Sequence, residues 1–278
     1  MNEEIKQFLK KNANTVRMDI IEQVHSAKSG HPGGSLSIAD IVTYLYFVEM
    51  NIDPRNPNWA ERDRFVLSKG HTCPAVYAVL ARRGFFDPEI LPTFRHIGSF
   101  LQGHPDMKHT PGIDMSSGSL GQGISAACGM ALSAKKSGLD YRVYALLGDG
   151  EIEEGQVWEA LMFAAHYKLA NLCVIVDSNG LQIDGPVAEV MNNAPIDAKA
   201  AAFGMNVLYM DGHDFDSIEK AFNDAKACVD KPTLIIAKTV KGKGVSFMEN
   251  QVGWHGKAPN DEEYESAMNE LKEAAKCL

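Results

Sequence analysis

The sequence predicts an α/β fold, with a mostly parallel central sheet and helices on both faces. Two observations carry this expectation. Five short apolar runs recur along the chain, and amphipathic stretches separate them. Alternating strand and helix patterns of this kind favour a parallel sheet.

Taken in order, residues 14–27 place Val16, Ile20, Ile21 and Val24 on one stripe, as a helix would. "RFVLS" (64–68) is the first strand candidate. Residues 120–136 form a helix rich in small residues, which let another backbone come close. A tight contact within the chain and a subunit interface are both compatible with that pattern. "RVYALLG" (142–148) is the second strand, and residues 154–168 the next helix, with Trp158, Leu161 and Ala165 on one side. "NLCVIVD" (171–177), "NVLYMDG" (206–212) and "TLIIAKTV" (233–240) complete the strands. Residues 261–276 make a last, charged helix. The apolar runs lack strict alternation, which fits strands covered on both faces. With no repeat, low-complexity tract or Ser/Pro linker in view, one domain over 1–278 is expected, large for its class.

Composition narrows the function. The chain has 278 residues, 45% apolar and 23% charged, as in ordinary soluble domains. "MNEEIKQFLKKNAN" has no apolar core of a signal peptide, and no stretch approaches a membrane span. A net charge of -9 argues against nucleic acid or an anionic membrane as a main partner. The 5 cysteines form no Cys-x-x-Cys pair, so buried reduced thiols in a cytoplasmic protein are expected.

Four constellations carry chemistry. The first is "LLGDGEIEEG" (146–155), an apolar run ending in Gly148-Asp149-Gly150. In parallel sheets such a turn faces the crevice where ligands bind. Glycine permits close backbone approach, and an aspartate there suits a hard cation. Alone, the triplet is equally a plain turn. The second is "VDSNGLQIDG" (176–185), where Asn179 offers a side-chain carbonyl and Leu181 a main-chain one. About 28 residues lie between Gly150 and Asn179, room for one helix and one strand. Adjacent strand ends would therefore bring Asp149 and Asn179 together.

The third is a set of Gly-flanked histidines: His31 in "SGHPGG", His71 in "KGHTCP", His104 in "QGHPD" and His255 in "GWHGK". Four loop histidines out of 9 suggest a lined pocket. No H-x-x-x-H spacing supports zinc. The fourth is "SGSLGQG" (117–123), which opens the small-residue helix, so its backbone N–H groups can face an anion. It lacks the Lys-Ser/Thr of a Walker loop and follows no clear strand. An acidic chain has no general positive field for a phosphate-rich ligand. A bridging cation, backbone N–H groups and imidazoles would have to serve instead. Glu151 and Glu153 are expected to open a helix and suit its dipole.

These segments resemble the N-terminal, diphosphate-binding part of the transketolase family. "GDGEIEEGQVWEALMFAAHYKLANLCVIVDSNGLQIDG" resembles its thiamine diphosphate motif. "AKSGHPGGSLS", "RDRFVLSKGH", "GHPD", "GSLGQG" and "KGKGVSFMENQVGWHGK" match in order, over nearly the whole chain. The resemblance implies that Asp149, Asn179 and the Leu181 carbonyl bind Mg2+ or Ca2+. It places Gly150, His71, Gly118 and Leu120 against thiamine diphosphate, with Ser119 where the family commonly has Pro. Ile183 would pack near the thiazolium. His31, His104 and His255 would face substrate, His255 touching the cofactor as well. Glu154 resembles an interface glutamate linking paired sites.

The implied reaction moves a two-carbon ketol unit from a ketose phosphate to an aldose phosphate, in the cytoplasm, within sugar-phosphate metabolism such as the pentose phosphate pathway. Ordinary transketolase chains continue into pyrimidine-binding and C-terminal domains. A split enzyme is therefore expected, with a separate C-terminal subunit in an α2β2 assembly. The rivals are a split transketolase for an unusual sugar phosphate, another thiamine enzyme, and a non-catalytic cofactor-binding module. Deoxyxylulose phosphate synthases follow Gly-Asp-Gly with Thr-Gly-Gly, whereas this chain has "EIEEG".

Overall fold

The computed structural model describes residues 1–278. Its centre is a five-stranded sheet, all pairs parallel, in the order β1-β2-β3-β7-β6. The strands are β1 (Arg64–Leu67), β2 (Val143–Gly148), β3 (Leu172–Ser178), β6 (Asn206–Asp211) and β7 (Thr233–Lys238), close to the five predicted runs. The two-residue strands β4 (Leu181–Gln182) and β5 (Gly185–Pro186) form a small hairpin just after β3.

Alternate strand residues feed two separate cores, which explains the missing polar alternation. Tyr144, Leu146, Cys173, Ile175 and Ile235 enter one. It is closed by α1 (Glu3–Ser26), α2 (Pro32–Ser37), α3 (Ala39–Tyr44), α4 (Cys73–Arg83) and α9 (Phe215–Ala227). Val143, Ala145, Leu147, Val174 and Val176 enter the other, under α5 (Gln122–Ser137) and α6 (Gly155–His166). The minor helices α7 (Val187–Val190) and α8 (Ile196–Ala202) follow the hairpin, and α10 (Asp261–Ala275) lies across α1.

Several expectations need correction. The first helix begins at Glu3, not residue 14, because Asn2 caps it and Leu9 and Ala13 extend the buried stripe. Of the expected inward face of α6, Leu161 is buried and Trp158 packs part-buried against the core, whereas Ala165 does not join it; Val157, Ala160 and Ala164 complete the face. In α5 the small residues divide. Gly123 faces inward, where a Cβ would lie 2.6 Å from Ser68 Cα, so this glycine lets the helix meet the end of β1. Gly129 has nothing within 4 Å and faces outward. The thiols are not all buried: Cys73, Cys128 and Cys173 are, Cys228 is half-buried and Cys277 exposed. No helix is long and apolar enough to cross a membrane.

Candidate active site

The loops at the C-terminal ends of β1, β2, β3 and β7 converge, as ligand sites do in open parallel sheets. They bound a cavity of about 380 Å3, within the range of small-molecule sites. Of the residues singled out in the sequence, His31, His71, His104, Gly118, Leu120, Asp149, Gly150, Asn179, Leu181, Ile183 and His255 line it. Ser119 and Glu154 do not. Glu154 is exposed at the N-cap of α6, packed over Gly121.

As the spacing implied, the loops of Asp149 and Asn179 come together, with the bond made to the neighbouring Gly180. The Asp149 carboxylate accepts from Gly150 N at 2.9 Å and from Gly180 N at 2.6 Å, which fastens the β2 loop to the β3 loop. Asn179 donates its amide to Asp177 at 3.0 Å, and its carbonyl oxygen accepts from Leu181 N at 3.1 Å. The Leu181 carbonyl accepts from Lys241 Nζ at 3.0 Å.

Beneath these groups lies a buried polar layer that the sequence reading missed. Asp177 is fully buried and accepts from Lys69 at 2.5 Å, Ser37 at 2.5 Å and Thr239. Burial alone would raise its pKa, but Lys69 and the two hydroxyls outweigh that and hold it below the usual range. Asp149, 4% exposed, is pushed up to about 6, by burial first and then by Asp177. A bound cation acts in the opposite direction.

Glu151 also departs from expectation. Rather than open a helix in solvent, it is 2% exposed within the turn Gly150–Glu153, and α6 starts later, at Gly155. Its carboxylate accepts from Ser68 Oγ at 2.5 Å, Gly121 N at 2.9 Å and Gly148 N at 3.1 Å. The anion met by Gly121 N, just before α5, is thus the protein's own. The positive charge supposed absent is present locally as Lys69 and Lys241, both buried and both lining the cavity. The signals for these residues sat beside the motifs, in "SKGH", "VDSNG" and "KTVKGKG".

The imidazoles form a cluster in the same lining. His31, His71 and His255 have ring centroids 5.0, 5.4 and 5.6 Å apart in pairs. His104 packs on Gly118, where a Cβ would lie 3.1 Å from its ring. Burial, then Arg95 and neighbouring charges, lowers His31 to about 4. Burial, then Lys241, lowers His255 to about 3. His71 and His104 are lowered too, by burial first and next by Lys69 and Arg95 respectively. The set is therefore neutral at pH 7. Lys241 donates to His255 Nδ1 at 2.8 Å, which leaves the ring proton on Nε2.

The donor set fits a hard cation and a phosphate-rich ligand. One carboxylate, one amide oxygen and one main-chain carbonyl are all hard oxygen donors. A single carboxylate leaves net positive charge on a divalent ion to attract diphosphate. Buried Lys69 and Lys241 add to it, and His31 Nδ1 is buried with no partner in the chain.

The transketolase thiamine diphosphate-binding domain model matches residues 9–274. The chain belongs to the transketolase family. It is 46% identical over 264 residues to the 6-deoxy-6-sulfo-D-fructose transketolase subunit of Clostridium sp. (strain MSTE9), covering 95% of this chain and 96% of that protein. An apulose-4-phosphate transketolase subunit of Phocaeicola vulgatus is 44% identical over 262 residues, covering 94% and 93%. Human transketolase is 46% identical over 255 residues, covering 90% of this chain but 40% of its own length. The transketolase structure from Campylobacter jejuni superposes with a TM-score of 0.91 at 38% identity, covering 99% of this chain and 43% of that one. The chain thus spans about two fifths of the longer transketolases and nearly all of the named subunits. The transketolase fold accounts for the parallel sheet and for the position of the cavity at its edge.

Proposed function

We propose that this chain is the diphosphate-binding subunit of a two-subunit transketolase, a transferase of two-carbon ketol units between sugar phosphates. One observation carries the reading. The all-oxygen set of Asp149, Asn179 and Leu181 shares one cavity with neutral imidazoles, in a transketolase chain. Near-full coverage of relatives that are themselves named transketolase subunits supports it.

In this reading residues 1–278 act as one diphosphate domain. Asp149, Asn179 and the Leu181 carbonyl hold Mg2+ or Ca2+, and Lys69 and Lys241 add positive charge beside the diphosphate. Gly118, Leu120, Gly150 and His71 line the cofactor, with Ser119 behind the main chain, and Ile183 lies toward the thiazolium. Thiamine diphosphate, when bound, supplies the nucleophilic carbon and the electron sink for ketol transfer. His31 and His104, kept neutral, accept a proton from a substrate hydroxyl at a ring nitrogen. His255, with its proton on Nε2, donates toward the reacting carbonyl oxygen. Burial of the wall excludes water from one side only. A partner subunit with a pyrimidine-binding domain closes the other, in an α2β2 assembly where like chains meet near Glu154. The enzyme works in the cytoplasm.

A narrower reading, a split transketolase for an unusual sugar phosphate, draws support from two relatives named for 6-deoxy-6-sulfo-D-fructose and apulose 4-phosphate. The test is a ketol-transfer assay with cofactor and Mg2+, before and after addition of the candidate partner. The chain alone is expected to be silent and the pair active. Full activity from the chain alone would refute the two-subunit reading.

A further inference from the structure

His104 sits in an irregular loop, yet its backbone is held more completely than a surface loop needs. Four consecutive carbonyls turn inward onto Tyr77 and Cys73 of α4 and onto Arg95, earlier in the same irregular segment. Leu101 O accepts from Arg95 N at 2.9 Å. Gln102 O and His104 O lie 2.9 and 3.0 Å from the Tyr77 hydroxyl. Gly103 O accepts from Arg95 Nη2 and Cys73 Sγ, each at 3.3 Å. With these carbonyls facing the core, the His104 ring is directed outward, onto Gly118 and the cavity.

The two main donors are themselves unusual. Tyr77 is fully buried on α4, the helix that starts just after His71, and its hydroxyl serves this loop at two carbonyls. Arg95 has φ 61°, a left-handed conformation that an ordinary residue adopts at a cost of order 1–3 kcal/mol. Its guanidinium has no carboxylate partner. One nitrogen instead donates to Ser29 Oγ at 2.5 Å, two residues before His31, while another reaches Gly103. The planar fork thus spans the loops of both histidines. The contact is close: a Cβ on Gly103 would lie 2.8 Å from Arg95 Nε and would push the guanidinium aside.

We propose that Tyr77 and Arg95 are positioning residues for His104, and that Arg95 also sets the spacing between the His104 and His31 loops. The inference rests on the reading in which His104 faces the substrate. Neither residue lines the cavity; Tyr77 acts through the loop it holds, and Arg95 through that loop and through its charge, which Arg95→Lys retains.

A double-mutant cycle on the assembled two-subunit enzyme tests this, with Tyr77→Phe, which removes only the hydroxyl, and His104→Asn. Tyr77→Phe is expected to lower kcat about tenfold, within the ~10²-fold that a 1 Å misplacement can cost. In the His104→Asn background the same change should have no further effect, because the group it positions is gone. Cofactor affinity, measured by calorimetry, should stay unchanged in Tyr77→Phe. Wild-type kcat in Tyr77→Phe, or an undiminished loss in the double variant, would overturn the positioning role while leaving His104 in place. Wild-type kcat in His104→Asn would instead refute the substrate-facing reading, and this inference with it. Arg95→Lys, which keeps the charge but loses the fork, runs the same cycle should Tyr77→Phe fail to fold.

Discussion

The floor of the cavity and its rim are built differently. At the floor, Asp149, Asp177, Lys69, Lys241 and Glu151 are at most 4% exposed, and each is hydrogen-bonded within the chain. At the rim, Ile183 is 63% exposed. The difference teaches where the chain is self-sufficient. Its diphosphate end is fixed before any ligand arrives, whereas its outer edge carries apolar surface with nothing of its own to cover it. Exposed apolar surface beside a site marks a face that another molecule uses.

The largest expected effect breaks the floor's binding function without breaking its fold. Asp149→Ala should abolish cation-dependent thiamine diphosphate binding, since it removes the one carboxylate among the three donors. Stability should hardly fall, because the change also relieves repulsion between Asp149 and buried Asp177. Calorimetric titration checks the first and thermal unfolding the second. Unchanged affinity would sink the metal assignment.

Next in size is the buried pair itself. Lys69→Met leaves Asp177 charged, fully buried and without its cation, a change that costs about 3–5 kcal/mol. Ile183→Ala, at the rim, should move the same denaturant-unfolding measurement by less than about 0.5 kcal/mol. Equal effects from the two would erase the contrast between floor and rim.

A further effect is a dependence on acid. His31 has a folded-state pKa of about 4 and His255 of about 3, against an ordinary value near 6.5. Between those limits the unfolded chain binds more protons than the folded one. The histidines' contribution is therefore complete above pH 6.5 and lost progressively as pH falls toward 4 and then 3. His31→Gln should flatten part of that fall, read as urea midpoints at pH 7 and pH 5. An identical slope in the variant would place His31 in a more solvated setting than the structure gives it.

Much of this was legible in the residues. The five apolar runs fall on the five sheet strands, most of them covered on both faces and so apolar throughout, although the edge strand β6 is largely open. The Gly148–Gly150 turn and Asn179 were linked by spacing alone, since one helix and one strand separate neighbouring strand ends in a parallel sheet. The four histidines stood out through their glycine neighbours. Lys69 and Asp177 did not, although each lies inside a quoted segment, and Glu151 was noticed only as an acid opening a helix. A charged residue next to a motif is ordinarily solvated, and nothing local distinguishes one that will be buried. Tyr77 and Arg95 were less visible still, because their role depends on which carbonyls of residues 101–104 turn toward them.

By itself, then, the sequence determined the class of fold, the positions of its strands along the chain and the residue types able to hold a cation and move protons. Those follow from periodicity, turn chemistry and spacing, which act over short stretches of chain. Only the tertiary structure decided depth. It placed Glu151 in front of Gly121 instead of in solvent, turned two lysines into the cavity of an acidic protein, and hung His104 from Tyr77 and Arg95. Burial, and the pairing that burial requires, comes from segments tens to hundreds of residues apart meeting in space, and no local pattern encodes it.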